Sequence, residues 1–521
     1  MDGLMMTRPL LVSSLLWRAE HVFGSVMNSS VTADGEVEDF TWRELAVDAR
    51  RLAAGLEWLG VQTGDRISSL AWNTREYLAA YFGVPALGAV LHTVNHRMSA
   101  VHIAATIRAA GSRVLIVDAD LFEVLAAVEP ELPQVKTLIV IGHGQPDTAI
   151  AAVHRWDDLL DSTEPVTSWP ELDENSASGI CFTSGTTGDP KGVVYSHRST
   201  VLHTLGICMA GGAAINNEDS YLLATNMSHV NGWGVPYACA LQGARLILPG
   251  AHPSPEDLLR LVTEQRPSWF VGAPTVAAMM RDRFGTASGA YDLSSLSTMW
   301  LGGQSPPTDL VAWFVDRGIG TVNGWGMTET SPIATFHHGH ETQGRPLPLV
   351  EMEVAGPAGE HLPWDGMSTG ELRVRAPWVA RDYLSADDTS SAFPEGWLAT
   401  GDVCVFHPDG QLQIRDRFKD LVKSGGEWIS SVELEHSLML HPKVHEAAVI
   451  AVPDPTWVER PLAWVVADDD VTDADLRLYL ERSFPKFWIP DEFVRADEVP
   501  KTSVGKIDKA SMRRTQAQRT G

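Results

Sequence analysis

Thr183-Ser184-Gly185-Thr186-Thr187-Gly188-Asp189-Pro190-Lys191-Gly192 follows the apolar run Ile180 to Phe182 and is the most informative stretch of the chain. Its glycines let successive backbone amides turn towards one point, its hydroxyls add donors, and Lys191 brings a positive charge. The loop is built to hold phosphate oxygens. It departs from a Walker loop, whose spacing is GxxxxGK[ST]: here Asp189-Pro190 separate Gly188 from Lys191, and Gly192 stands where Ser or Thr belongs. A flexible Gly/Ser linker is a poor alternative, because Pro190 and the threonines stiffen the loop and apolar runs flank it.

Outward from this loop, helix-period segments such as Trp42 to Leu59 alternate with short β-branched runs, Val114 to Val117 and Lys136 to Ile141. The alternation resumes with Arg245 to Leu248, Ser268 to Gly272, Thr298 to Gly302 and Thr321 to Gly324, several ending at glycines. Such a pattern predicts parallel sheets with helical crossovers, whose ligands gather at strand ends. After Gly370 the texture changes. Glu371 to Arg375, Val403 to Phe406 and Gln411 to Ile414 read as antiparallel strands, the last two joined through His407-Pro408-Asp409-Gly410. Beyond Arg415 a smaller unit is expected, with strands at Ala447 to Val452 and Leu462 to Ala467 and a helix over Asp473 to Arg482.

Composition narrows the function. The 521 residues are 44% apolar, enough for two or three cored domains, and the formal charge of −26 disfavours nucleic acid and anionic membrane surfaces as partners. Four cysteines, Cys181, Cys208, Cys239 and Cys404, form no CxxC pair, which fits a reducing cytoplasm. Leu10 to Trp17 is mildly apolar but stops at Arg18, so neither a signal peptide nor a membrane span is expected. Pro500 to Gly521 carries Lys501, Lys506, Lys509, Arg513, Arg514 and Arg519 against Asp508 alone, which suits either a small polyanionic ligand or a solvated tail. His337, His338 and His340 crowd too closely in a loop for all three to face one ion, and no cysteine is near.

Together with four further segments, the phosphate loop resembles the adenylate-forming superfamily of acyl- and aryl-CoA ligases, peptide-synthetase adenylation domains and firefly-type luciferases. Asn323-Gly324-Trp325-Gly326-Met327-Thr328-Glu329-Thr330 is similar to its adenine-binding segment and Trp397 to Asp402 to its ribose-binding segment. Arg415 to Asp420 is similar to its inter-domain hinge, and Pro500 to Lys506 to its catalytic-lysine loop. Lys423 to Ser431 looks like the branch that includes ligases for medium-chain fatty acids and methylmercaptopropionate. The implied fold is α/β: a large N-terminal AMP-binding domain of doubly wound sheets over residues 1–418, with a β-rich subdomain over 370–418. A small mobile α+β C-terminal domain follows over 419–521, with its hinge at Lys419.

The resemblance also assigns roles that the residue chemistry suits. Thr183, Ser184, Gly185, Thr186, Thr187, Gly188 and Lys191 would bind the triphosphate, and Asn323, Gly324, Trp325, Gly326 and Met327 the adenine, Trp325 offering a stacking face. Asp402, an acceptor, suits the ribose hydroxyls, and Arg417 can fork onto ribose or phosphate. Glu329 is a hard oxygen ligand for Mg²⁺, with Thr187 beside it in that role and Thr328 a hydroxyl donor. Lys506 would offset the charge that develops as a carboxylate attacks the α-phosphate. Gly425, Gly426 and Trp428 would border the CoA tunnel, and His229 would gate the thiol's access.

Ser228, Gly232, Trp233, Gly302, Gly303 and Gln304 would shape the acid pocket. Ser228 and Gly232 are smaller than the aromatic and alanine usual in that branch, so the pocket is expected to be roomier or more polar, unless a neighbour fills the space. The implied activity is an ATP- and Mg²⁺-dependent acid:CoA ligase that forms an acyl-adenylate and then a thioester, its partners being a small-molecule acid, ATP and CoA. Alternatives keep the adenylate and change the acceptor, by amide formation or by nitrite activation towards an aryl amine; a non-catalytic acyl-nucleotide sensor is a third reading. Both a monomer and a homodimer are left open.

Overall fold

The computed structural model describes residues 3–183, 190–287, 289–384, 392–424, 427–502 and 507–520. They fall into two compact units, one of residues 3–183, 190–351 and 375–396, the other of 352–374 and 397–520. The expected boundaries at 370 and 419 both lie within the second unit.

The first unit holds two seven-stranded sheets. One runs in the order Ala152–Arg155, Thr137–Ile141, Val114–Asp118, Arg66–Leu70, Val90–Thr93, Ala177–Phe182, Gly192–Ser196, parallel except for the last pair. The other runs Gly320–Val322, Thr298–Leu301, Trp269–Gly272, Ser220–Leu223, Arg245–Leu248, Met27–Val31, Val37–Thr41, again parallel except for the last pair. Val114–Asp118 is buried at every position, as a strand covered on both faces by helices must be, hence its unbroken apolar run. The helices carry their own start signals: Thr41 and Glu44 form a capping box on Trp42–Trp58, and Ser99 caps Ala100–Ala110.

Asn73 ties the two sheets at the carboxyl ends of their strands. It lies just beyond Arg66–Leu70 and donates its amide to the carbonyls of Leu223 (2.9 Å) and Thr225 (2.8 Å), at the end of a strand of the other sheet. Its Oδ1 accepts the Met227 N–H at 2.8 Å.

In the second unit, an antiparallel five-stranded sheet is ordered His361–Leu362, Glu351–Ala355, Gly370–Arg375, Leu398–Phe406, Leu412–Arg417. A second sheet is ordered Glu427–Ile429, Val422–Ser424, Val458–Ala467, Val444–Asp454, with Glu492–Arg495 parallel to Val458–Ala467. Helices Ser431–Met439 and Asp473–Leu480 bury Leu434, Leu438, Leu476 and Leu480 in its core. The fold class is the expected one, mixed α/β with a separate β-rich C-terminal region. No described helix is long and apolar enough to cross a membrane.

Asp416 joins these two sheets electrostatically. Its buried carboxylate accepts the Ser431 N–H (2.6 Å), the Ser431 hydroxyl (2.8 Å) and the Ser430 hydroxyl (3.3 Å), placing an anion at the start of helix Ser431–Met439. Asp416→Ala takes this acceptor from the buried Ser431 N–H and hydroxyl, while the Ser430 hydroxyl keeps the Arg415 carbonyl, and should cost about 1–3 kcal/mol of stability, read as a lower urea midpoint. A change of under about 0.5 kcal/mol, the scale of an ordinary surface substitution, would show that water replaces the carboxylate.

Candidate active site

Strands Ala177–Phe182 and Gly192–Ser196 lie antiparallel, and the phosphate loop spans them. Its base is closed by two hydrogen bonds, Thr183 N–H to the Lys191 carbonyl (2.9 Å) and Lys191 N–H to the Thr183 hydroxyl (3.1 Å). Ser184, Gly185, Thr186, Thr187 and Gly188 lie outside the described residues.

Glu329 sits in the short helical turn Thr328–Thr330 and is 4% exposed. Tyr383 donates its phenol to Glu329 Oε1 at 2.6 Å, while its ring lies 4.8 Å from Lys191 Nζ. Burial, followed by the charge of Glu329, holds the phenol protonated by raising its pKa. The Thr328 carbonyl accepts the buried Tyr195 hydroxyl at 2.7 Å. Among the described residues no Lys or Arg pairs with Glu329: its Oε1 takes the Tyr383 phenol, and the Lys191 ammonium sits over the Tyr383 ring. A buried carboxylate without a cationic partner is costly unless a cation arrives with the ligand, so the donor set fits a magnesium ion carried by a triphosphate.

Gly324 and Gly326 meet a packing constraint. The segment forms isolated bridges from Asn323 to His337 and from Gly326 to Ile333, and a Cβ on Gly326 would overlap the Pro332 carbonyl. Between them Trp325 is 8% exposed, so only a margin of its indole is open for a base to stack on. Asn323 is buried with its Oδ1 on the Gly324 N–H (2.8 Å), and Met327 N–H donates to the Thr330 hydroxyl (2.9 Å).

The acid-pocket candidates are shaped by an unusual backbone. Val230, Asn231, Gly232, Trp233 and Gly234 all have positive φ, from 47° to 78°, a complete left-handed turn. Only glycine adopts this region freely, and the other residues each cost roughly 1–2 kcal/mol. Neighbours hold the turn: Asn231 Oδ1 lies 3.3 Å from the buried Cys181 thiol, which burial pushes up to about 11. The Trp233 indole lies on Gly302, where a Cβ would stand 2.9 Å from its Cη2. Ser228 is buried, and its hydroxyl and N–H both reach Asn226 Oδ1 at 2.9 Å. The Ser228 hydroxyl therefore already has a partner within the chain. His229 N–H donates to the Asn226 carbonyl (2.9 Å) and its side chain is partly exposed. Gly303 (φ 88°) is exposed and Gln304 partly so.

In the second unit Asp402 and Arg417 face each other across the strand pair, with Arg417 Nε 2.9 Å from Asp402 Oδ1. Partial desolvation, reinforced by Arg417 and Arg513, lowers the Lys419 pKa. Lys423 Nζ lies 5.5 Å from the ring of the half-exposed Trp428. Lys506, Gly425 and Gly426 lie outside the described residues. The structure thus gathers Lys191, Thr328 and Glu329 in the first unit, brings Trp233 onto Gly302 there, and pairs Asp402 with Arg417 in the second.

Tyr383 and Tyr195 were not legible as site residues. Tyr383 stands 54 positions from Glu329 with no local pattern to mark it. Tyr195 stands in the short strand Gly192–Ser196, with nothing local to tell a site hydroxyl from a packed ring. Among the described residues no three His, Cys, Asp or Glu side chains are grouped to hold a metal ion.

Residues 22–384 match the AMP-binding enzyme family and residues 433–506 the AMP-binding enzyme C-terminal domain. The chain belongs to the AMP-binding enzyme family. It is 39% identical to 3-methylmercaptopropionyl-CoA ligase of Ruegeria lacuscaerulensis, over 98% of both chains. It is 36% identical to medium-chain-fatty-acid–CoA ligase of Ectopseudomonas oleovorans, over 98% of this chain and 97% of the relative. The anthranilate CoA ligase AuaEII, solved with anthranoyl-AMP, shares the fold with a TM-score of 0.87 at 24% identity, over 98% of this chain and 99% of that one.

Gly302→Ala tests the Trp233 contact. The added methyl meets an indole whose backbone turn leaves it little room to retreat, and overpacking of this kind should lower the unfolding free energy by about 1–3 kcal/mol. Unchanged stability would mean that the indole swings clear.

Proposed function

We infer that this chain, an ATP-dependent acid:CoA ligase of the AMP-forming type, forms its adenylate on the surface that carries Lys191, Thr328 and Glu329. The observation that carries this assignment is the buried Glu329 carboxylate, which has no cationic partner among the described residues and lies close to the base of the phosphate loop. Bound Mg²⁺, for which Glu329 and Thr187 are the proposed ligands, would neutralise triphosphate charge. Lys191 would add a point charge to the same phosphates, while Asp402 would accept from the ribose hydroxyls with Arg417 beside it.

A carboxylate oxygen of the acid attacks the α-phosphate, the bond to the β-phosphate oxygen breaks, and pyrophosphate leaves. Lys506 is proposed to stabilise the charge on the α-phosphate in that transition state rather than to move a proton. The CoA thiolate then attacks the acyl carbon and displaces AMP, after a rotation of residues 419–521 about Lys419, with access past His229 and along Gly425, Gly426 and Trp428. The acid is proposed to lie against Ser228, Gly232, Trp233, Gly302, Gly303 and Gln304. Four free thiols support a reducing cytoplasm as its location.

Lys506→Ala should lose acyl-adenylate formation from acid and ATP, followed as pyrophosphate release, yet still convert supplied acyl-AMP and CoA to thioester. Equal loss in both half-reactions would overturn the role of Lys506. For the acid pocket, Ser228→Phe adds bulk beside Asn226 and should lower kcat/KM about tenfold to a hundredfold for the preferred acid, sparing short aliphatic acids. The measurement is kcat/KM over straight-chain and aryl acids, with and without CoA. A uniform fall would mean a disturbed fold, and no change would mean that Ser228 faces away from the acid.

A further inference from the structure

Residues 375–384 run alongside the proposed adenylation surface and are fastened to it at intervals. The Ser331 hydroxyl donates to the Trp378 carbonyl (2.7 Å), the Ala380 N–H to the Glu329 carbonyl (2.8 Å), and the Leu384 N–H to the Gly192 carbonyl (2.8 Å). Trp378 anchors the segment, 2% exposed and packed over Gly206 beside His203. Tyr383 lies between the Ala380 and Leu384 tethers, with Phe393 behind it at 5.4 Å between ring centroids. The backbone around it is thus pinned to the two elements that its side chain touches: the turn bearing Glu329 and the strand that follows Lys191.

That side chain contacts an anion and a cation in different ways. The phenol takes one carboxylate oxygen of Glu329, and the ring face takes the Lys191 ammonium. Without the ring, a carboxylate and a flexible ammonium so placed would neutralise each other, and neither would be free to meet a nucleotide. We propose that Tyr383 is a positioning residue for nucleotide binding: its phenol fixes the Glu329 carboxylate for the metal that ATP carries, and its ring holds Lys191 apart from that carboxylate. This rests on the reading of Glu329 as the metal's carboxylate.

Tyr383→Phe keeps the ring and removes the phenol. By calorimetric titration of the full-length enzyme, it should bind Mg-ATP about tenfold more weakly, with affinity for ATP in excess EDTA within twofold of wild type. Tyr383→Leu, which loses the ring as well, should weaken both forms. Wild-type Mg-ATP affinity in Tyr383→Phe, or equal weakening of both forms in that variant, overturns the proposal. Glu329→Gln separates the two levels of the argument. If it loses the preference for Mg-ATP while Tyr383→Phe keeps it, Tyr383 alone is wrong; if it keeps the preference, the reading of Glu329 fails and takes this inference with it.

Discussion

One buried amide sets the geometry on which the rest of the first unit depends. Asn73 uses both its N–H bonds on carbonyls at the end of a strand in the opposite sheet and its oxygen on the Met227 N–H. At 5% exposure it has no water to fall back on, so any shift of one sheet against the other would strand several polar groups at once. The Met227 carbonyl is taken from the other side by the Tyr81 hydroxyl. The segment that leads into Ser228, His229 and the left-handed turn is therefore held by its backbone before any of its side chains comes into play.

Electrostatic logic extends this outward. The interior around Glu329 is arranged from phenols and hydroxyls, Tyr383 and Tyr195 among them, which can donate without bringing a charge. Such surroundings leave the carboxylate's charge uncancelled while satisfying part of its hydrogen-bonding capacity. In the second unit the opposite choice is made: Asp402 and Arg417 already pair, and Asp416 is spent on a helix start. Asp402 thus has its countercharge within the chain, whereas Glu329 has no cationic partner among the described residues.

Much of the sheet framework was legible because strands covered on both faces are mostly apolar; Arg245–Leu248 was read to the residue, and Val114–Asp118 to within one. The strands Val444–Asp454 and Val458–Ala467 are longer than their apolar cores because the pairing continues through Pro453, Glu459 and Pro461, residues that argue locally against a strand. The close approach of Gly324 and Gly326 to the Thr335 and Pro332 carbonyls cannot be read locally, because it depends on where the returning segment of the chain lies. The left-handed turn at 230–234 was invisible for the same reason: Val230 and Trp233 are residues no local rule would place at positive φ. The partner of the Ser228 hydroxyl, Asn226, stands only two positions away, but no local pattern marks the pair.

The second sheet has a further consequence in its order of assembly. Its strand Met27–Val31 pairs with Arg245–Leu248, and with Val37–Thr41 it forms the edge of a sheet whose remaining strands lie between residues 220 and 322. A ribosome adding roughly 5–20 residues per second reaches Arg245 on the order of ten to forty seconds after Val31. The first sheet, drawn from residues 66–196, is synthesised in full during that interval. The amino-terminal hairpin is thus made well before the strand it joins, so during that interval its bare edge must be kept from pairing with the wrong neighbour.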